Sequence, residues 1–136
     1  GEVSNVVVTG LVGITLPPLE RVPAGTPAIV DINGIAVTPT EGTAVAVESQ
    51  VCNDDSVAHA FTYIVQVKDA NGVVSSISWV SGNLPVAEAG STSCSMAAAS
   101  WTPDSAGAYT IDTFVLDSIA SGIALSPVST LTVTVV

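Results

Sequence analysis

Apolar and polar residues alternate along most of this chain. Within Thr43–Cys52, Val45, Val47, Ser49 and Val51 fall on one side of an extended backbone. Phe61, Tyr63, Val65 and Val67 alternate in the same way with Thr62, Ile64, Gln66 and Lys68. A period of two marks strands. Asp69-Ala70-Asn71-Gly72 predicts a hairpin onto Val73–Val80, because Asn-Gly tolerates the positive φ of tight turns. Gly82-Asn83-Leu84-Pro85 predicts another turn, and Ala28–Thr38, bent at Asn33-Gly34, a first strand. Further strands are predicted over Ser91–Ser100, Ala108–Leu116 and Val128–Val136, although the alanines of 91–100 would also suit a helical turn. No amphipathic helix longer than two turns is evident. Short connections require antiparallel order, and strands punctuated this regularly predict an all-β antiparallel sandwich.

Composition sharpens this picture. The chain has 136 residues, enough for one domain and a tail. It is 48% hydrophobic and only 10% charged, with a mean hydropathy of +0.62. The polar surface is therefore expected to rest on Ser, Thr, Asn and Gly. Arg21 and Lys68 face twelve acidic residues, for a net charge of −10. Such a chain repels phosphate backbones and anionic headgroups, so neither nucleic acid nor a membrane surface is an expected partner. Gly10, Gly13 and Pro17-Pro18 interrupt the uncharged stretch Val3–Leu19, which excludes a helical membrane span there. With no initiator Met and no signal peptide in the sequence, processing or a start at Gly1 is expected.

Cys52 and Cys94 lie 42 positions apart, outside any CxxC pair. On neighbouring strands they could form a disulfide; two buried free thiols are the alternative. One histidine, His59, cannot complete a zinc set or a copper site with Cys94 and Met96, so no metal or other cofactor is expected. Asn53-Asp54-Asp55 and Asp69 could offer oxygens to calcium, but acidic loop residues are more often turn formers. His59 has no nucleophile motif near it, and no catalytic residue is assigned. Lys68 could join an intramolecular isopeptide bond, although a lysine at a strand end is ordinarily solvated. No Asn-x-Ser/Thr sequon occurs.

From Phe61 to Asp117 the chain resembles immunoglobulin-like modules of archaeal surface and secreted proteins. The matching stretches are Tyr63–Asp69 with Gly72, Ile77-Ser78-Trp79, Ser100–Pro103, Ala106–Thr110, Phe114–Asp117 and Leu125-Ser126-Pro127. The resemblance implies an immunoglobulin-like β-sandwich displayed on or beyond a cell envelope, and it carries over no catalytic residue. Gly107-Ala108-Tyr109 has the form of a tyrosine corner, in which the phenol bonds backbone at the sandwich edge. Trp79, Trp101 and Tyr109 are the expected large core residues.

Residues 1–40 lie outside this resemblance. The chain divides into an N-terminal tail (1–16), a Pro-rich connector (17–27) expected to act as a semi-rigid spacer, and the sandwich (28–136). In an extended tail Val6, Val8, Gly10, Val12 and Ile14 share one face. That face must be buried, either as an edge strand of its own sandwich or as a donor strand in a neighbouring copy. Nothing after Val128–Val136 reads as an anchor, so partners are expected to hold the protein. The resulting expectation is an extracellular, non-enzymatic filament subunit, a head-to-tail homopolymer linked by donor strands. A monomeric adhesive or envelope module binding a glycan or protein is the alternative.

Overall fold

The computed structural model describes residues 16–136. Seven strands form two antiparallel sheets: β1 (Ala28–Val30), β2 (Val45–Cys52), β3 (His59–Lys68), β4 (Val74–Leu84), β5 (Cys94–Trp101), β6 (Gly107–Leu116) and β7 (Ser129–Val135). One sheet runs β1-β2-β5 and the other β4-β3-β6-β7. Among the described residues a single 3-10 turn, Pro18–Glu20, is the only helical element, and no helix is long and apolar enough to cross a membrane.

The inward faces are those the alternation predicts. Val45, Val47 and Val51 from one sheet meet Phe61, Tyr63, Val65 and Val67 from the other. Ser49, in the same inward row, donates or accepts at 2.7 Å with the Tyr63 hydroxyl, which satisfies two polar groups in the middle of the core. Trp101 and Tyr109 are buried and meet edge to face, centroids 5.4 Å apart. The Tyr109 hydroxyl donates to the Ser105 carbonyl at 2.9 Å, closing the tyrosine corner.

Two elements differ from the expected pattern. β1 ends at Val30 because Asp31-Ile32-Asn33-Gly34-Ile35 is a tight turn, with Asp31 Oδ1 accepting the Asn33 and Ile35 amides. Asp69–Val73 repeats the arrangement, its carboxylate accepting the Asn71 and Val73 amides. β4 continues through Gly82 to Leu84 instead of turning. Gly82 is needed there for space: a Cβ would lie 2.9 Å from Phe61 Cζ.

Trp79 is corrected from core to surface. Val80 pairs with Tyr63 and so shares its inward face, which puts Trp79, paired with Ile64, on the outside. Trp79 is 55% exposed. Size suggested the core; parity decides otherwise.

Candidate assembly surfaces

Antiparallel order gives the sandwich two poles. The ends of β2, β4 and β6 and the starts of β3, β5 and β7 meet at an upper pole. Asn53 ties this pole together, its side-chain amide donating to the carbonyls of Val57, Leu84 and Pro85. The turns at 31–35 and 69–73 and the segment Thr102–Ala106 lie at the lower pole.

The Pro-rich connector is docked from Arg21 onward, so it is not a projecting spacer. It descends from the upper pole along β2: Asp54 donates to the Arg21 carbonyl, Cys52 to Pro23, and Gly25 to Gln50. Val22 is fully buried in the core. Prolines remove amides but leave carbonyls, and here Pro23 supplies one to the edge of β2.

Above this segment lies a clamp. The amide of Leu16 donates to Asp55 Oδ1 at 3.1 Å, and Arg21 Nε donates to the Leu16 carbonyl at 2.6 Å. Asp55 is buried and also accepts the Ser56 amide at 2.8 Å and faces His59 Nε2 at 2.7 Å. Burial pushes its pKa up, but the His59 and backbone hydrogen bonds outweigh that and hold the carboxyl below the ordinary aspartate value. Both backbone groups of Leu16 are thus held by side chains, the amide by Asp55 of the sandwich and the carbonyl by Arg21 of the connector. The expected donor positions Val6, Val8, Gly10, Val12 and Ile14 lie outside the described residues.

Strand edges form a second surface. Among the described residues, β4 pairs only with β3 and β5 only with β2, so both present unpaired outer edges on the same side of the sandwich. Among the described residues β7 has a free edge too, except at its lower end, where Val136 donates to the Pro39 carbonyl and accepts the Glu41 amide.

The apolar surface is unevenly spread. Ile77, Trp79 and Met96 are exposed along strands; the other large exposed apolar side chains sit at strand ends and loops. Leu19, Val57, Val86, Ile119 and Ile123 are at the upper pole, and Ile32, Ile35, Val73 and Val136 at the lower. Ile32 is 98% exposed at the tip of its turn. Beside it a shallow depression of about 260 Å³ is lined by Asp31, Ile32, Ala44, Val45 and Ala46.

Cys52 and Cys94 form a disulfide across directly paired positions of β2 and β5, within one sheet. Asn53 and Asp69 spend a side-chain oxygen on backbone amides, and Asp55 spends one on amides and the other on His59. Lys68 Nζ lies 3.0 Å from Asp112 Oδ2 on the outer face, an ordinary ion pair. Among the described residues no group of three or more His, Cys, Asp or Glu side chains is placed to hold a metal. Sequence reasoning missed the clamp, since Arg21, Asp55 and His59 lack a shared spacing motif.

No protein-family model matches the sequence. No curated protein matches it either. Solved structures do. A CARDB domain from Pyrococcus furiosus, determined in complex with di-metal ions, superposes with a TM-score of 0.50 at 19% identity, covering 89% of this chain and 97% of that domain. A β-glucuronidase from Bacteroides uniformis gives 0.59 at 12% identity over 80% of this chain and 13% of the enzyme. A β-glucosidase from Erythrobacter marinus gives 0.58 at 12% identity over 85% of this chain and 15% of its own length. The chain spans about one-seventh of each enzyme. At these identities fold alone is shared: the chain is an immunoglobulin-like antiparallel β-sandwich.

Proposed function

We propose that this protein is a structural subunit of an extracellular filament. Each copy donates its N-terminal strand to the next, and the chain has no enzymatic role. The observation that carries the reading is the grip on Leu16. It fixes the point where an alternating apolar segment joins a sandwich that already closes its own core. An apolar segment held at a pole is suited to add to a free edge of another copy's sheet by main-chain pairing. The side bearing the free edges of β4 and β5 is the acceptor we favour, because the lower end of β7 is already capped by Pro39 and Glu41. A disulfide is in keeping with an oxidising, extracellular setting.

Electron microscopy of the full chain and of a variant lacking residues 1–15 tests the reading. The full chain should form filaments. The variant should fold, remain monomeric, and gain thermal stability when a peptide of residues 3–16 is added. Polymerisation that survives the deletion sinks the proposal; a monomeric full chain means that the tail folds back on its own sandwich.

One observation favours the second reading, a module that binds a glycan or protein. Trp79 and Phe114 flank Ile64 across three strands of the outer face, an aromatic row available to a flat apolar ligand. Loss of ligand binding in Trp79→Ala with assembly unchanged would support it.

A further inference from the structure

The clamp limits how far apart successive copies can stand, an argument that rests on the donor-strand reading above. Ile14, the donor position nearest the sandwich, is two residues from Leu16. An extended chain covers at most about 3.3–3.6 Å per residue, so Ile14 can reach only about 7 Å beyond the fixed point. Packed sheets already stand about 10 Å apart because of their side chains. A neighbour that takes Ile14 into its sheet must therefore rest directly on the upper pole.

We infer that successive copies abut pole to pole, the upper pole of one against the lower pole of the next. The distribution of apolar side chains fits. Leu19, Val57, Val86, Ile119 and Ile123 lie at the pole that holds Leu16. Ile32, Ile35, Val73 and Val136 crown the opposite one. Scattered single apolar residues need no partner, but large exposed ones set at both ends of one axis suit an end-to-end contact. Ile32 is the clearest case. It stands almost wholly in solvent, where the equivalent residue of the other Asp-x-Asn-Gly turn is Ala70. The depression beside it could seat an apolar side chain from the facing pole. Because the two poles differ, the contact is heterologous and runs head to tail, which builds an open filament when the rotation per copy does not close a ring.

The full-length chain carrying both Ile32→Cys and Ile119→Cys should give a ladder of covalent multimers with a short bis-maleimide. Neither single variant should give one. Ile32→Glu should slow assembly about tenfold or more without moving the melting temperature, since the fold does not use that side chain. Filaments that need the tail yet give no ladder, and assemble normally with Ile32→Glu, overturn the pole contact and leave the donor-strand reading standing. Cross-linked dimers from Ile119→Cys alone would mean that like poles meet, which also overturns it. A wild-type chain that stays monomeric by light scattering overturns both.

Discussion

Two tryptophans of one chain occupy opposite environments. Trp101 fills the core against Tyr109; Trp79 lies outside on β4. Trp101→Ala should cost about 3–5 kcal/mol in urea unfolding, the range for deleting a buried aromatic, whereas Trp79→Ala should cost under about 1 kcal/mol. The same pair can be read optically: iodide should quench the fluorescence of the Trp101→Phe variant, which retains Trp79, far more than that of Trp79→Phe. Asp55 makes a second residue-scale case. Asp55→Ala leaves the Leu16 and Ser56 amides without their acceptor, at about 1–3 kcal/mol. Its folded pKa lies below the unfolded value, so its stabilisation is present above the unfolded pKa of about 4 and is lost as pH falls through the folded one. The melting temperature should hold steady from neutrality down to about pH 5 and fall in stronger acid, with a shallower acid fall in Asp55→Asn. An identical fall in that variant would assign the acid sensitivity elsewhere, with Asp112, also lowered despite burial by its Thr130 and Lys68 bonds, the next group to test.

At the scale of elements, the sequence carried more about strands than about their ends. Alternation in 45–52 and 61–68 was sufficient to find β2 and β3 because each buries one face against the other sheet. The Asp69–Gly72 turn was legible from its own chemistry. The same chemistry at Asp31–Gly34 reads as a bend within a strand, because nothing local says that Val37 returns to bond Ile29. Gly82 was misread for a related reason: its role is set by Phe61, twenty-one positions earlier. Gly82→Ala should therefore destabilise by about 1–3 kcal/mol through overpacking, although glycine in a strand ordinarily weakens it. A neutral or stabilising result would show that the Phe61 ring can yield. The Cys52–Cys94 bridge locks the upper end of the β2–β5 ladder and closes a separation of 42 residues. Removing it as the Cys52→Ala, Cys94→Ala pair should cost about 4 kcal/mol on the chain-entropy model, measured as a shift in denaturation midpoint.

For the whole molecule, charge sets the conditions of assembly. Both basic side chains are already engaged within the subunit, Arg21 at the clamp and Lys68 with Asp112. Neither is left to bridge one copy to another. Glu20, Asp54, Glu88 and Asp117 ring the upper pole, and Asp31, Glu41, Asp69 and Asp104 the lower. Facing poles therefore repel through their carboxylates while their apolar side chains attract. Repulsion between exposed charges is screened over about 30 Å at 0.01 M salt and about 10 Å at 0.1 M, whereas apolar contact is not weakened by salt. Assembly followed by light scattering should consequently speed up with ionic strength at neutral pH; a slowing would require attractive ion pairs between poles. Acid acts with two signs. Acid relieves the repulsion as carboxylates lose their charge, and Asp117 holds its own into stronger acid because Ser121 and backbone amides bond its carboxylate. Protonating Asp55 releases Leu16, and its lowered pKa delays that loss to stronger acid. Assembly should thus pass through a maximum in mildly acidic solution, between discharge of the poles and failure of the clamp. In Asp55→Asn the acid limb should flatten, because no carboxylate remains there to titrate; an unchanged acid limb would separate the clamp from polymerisation.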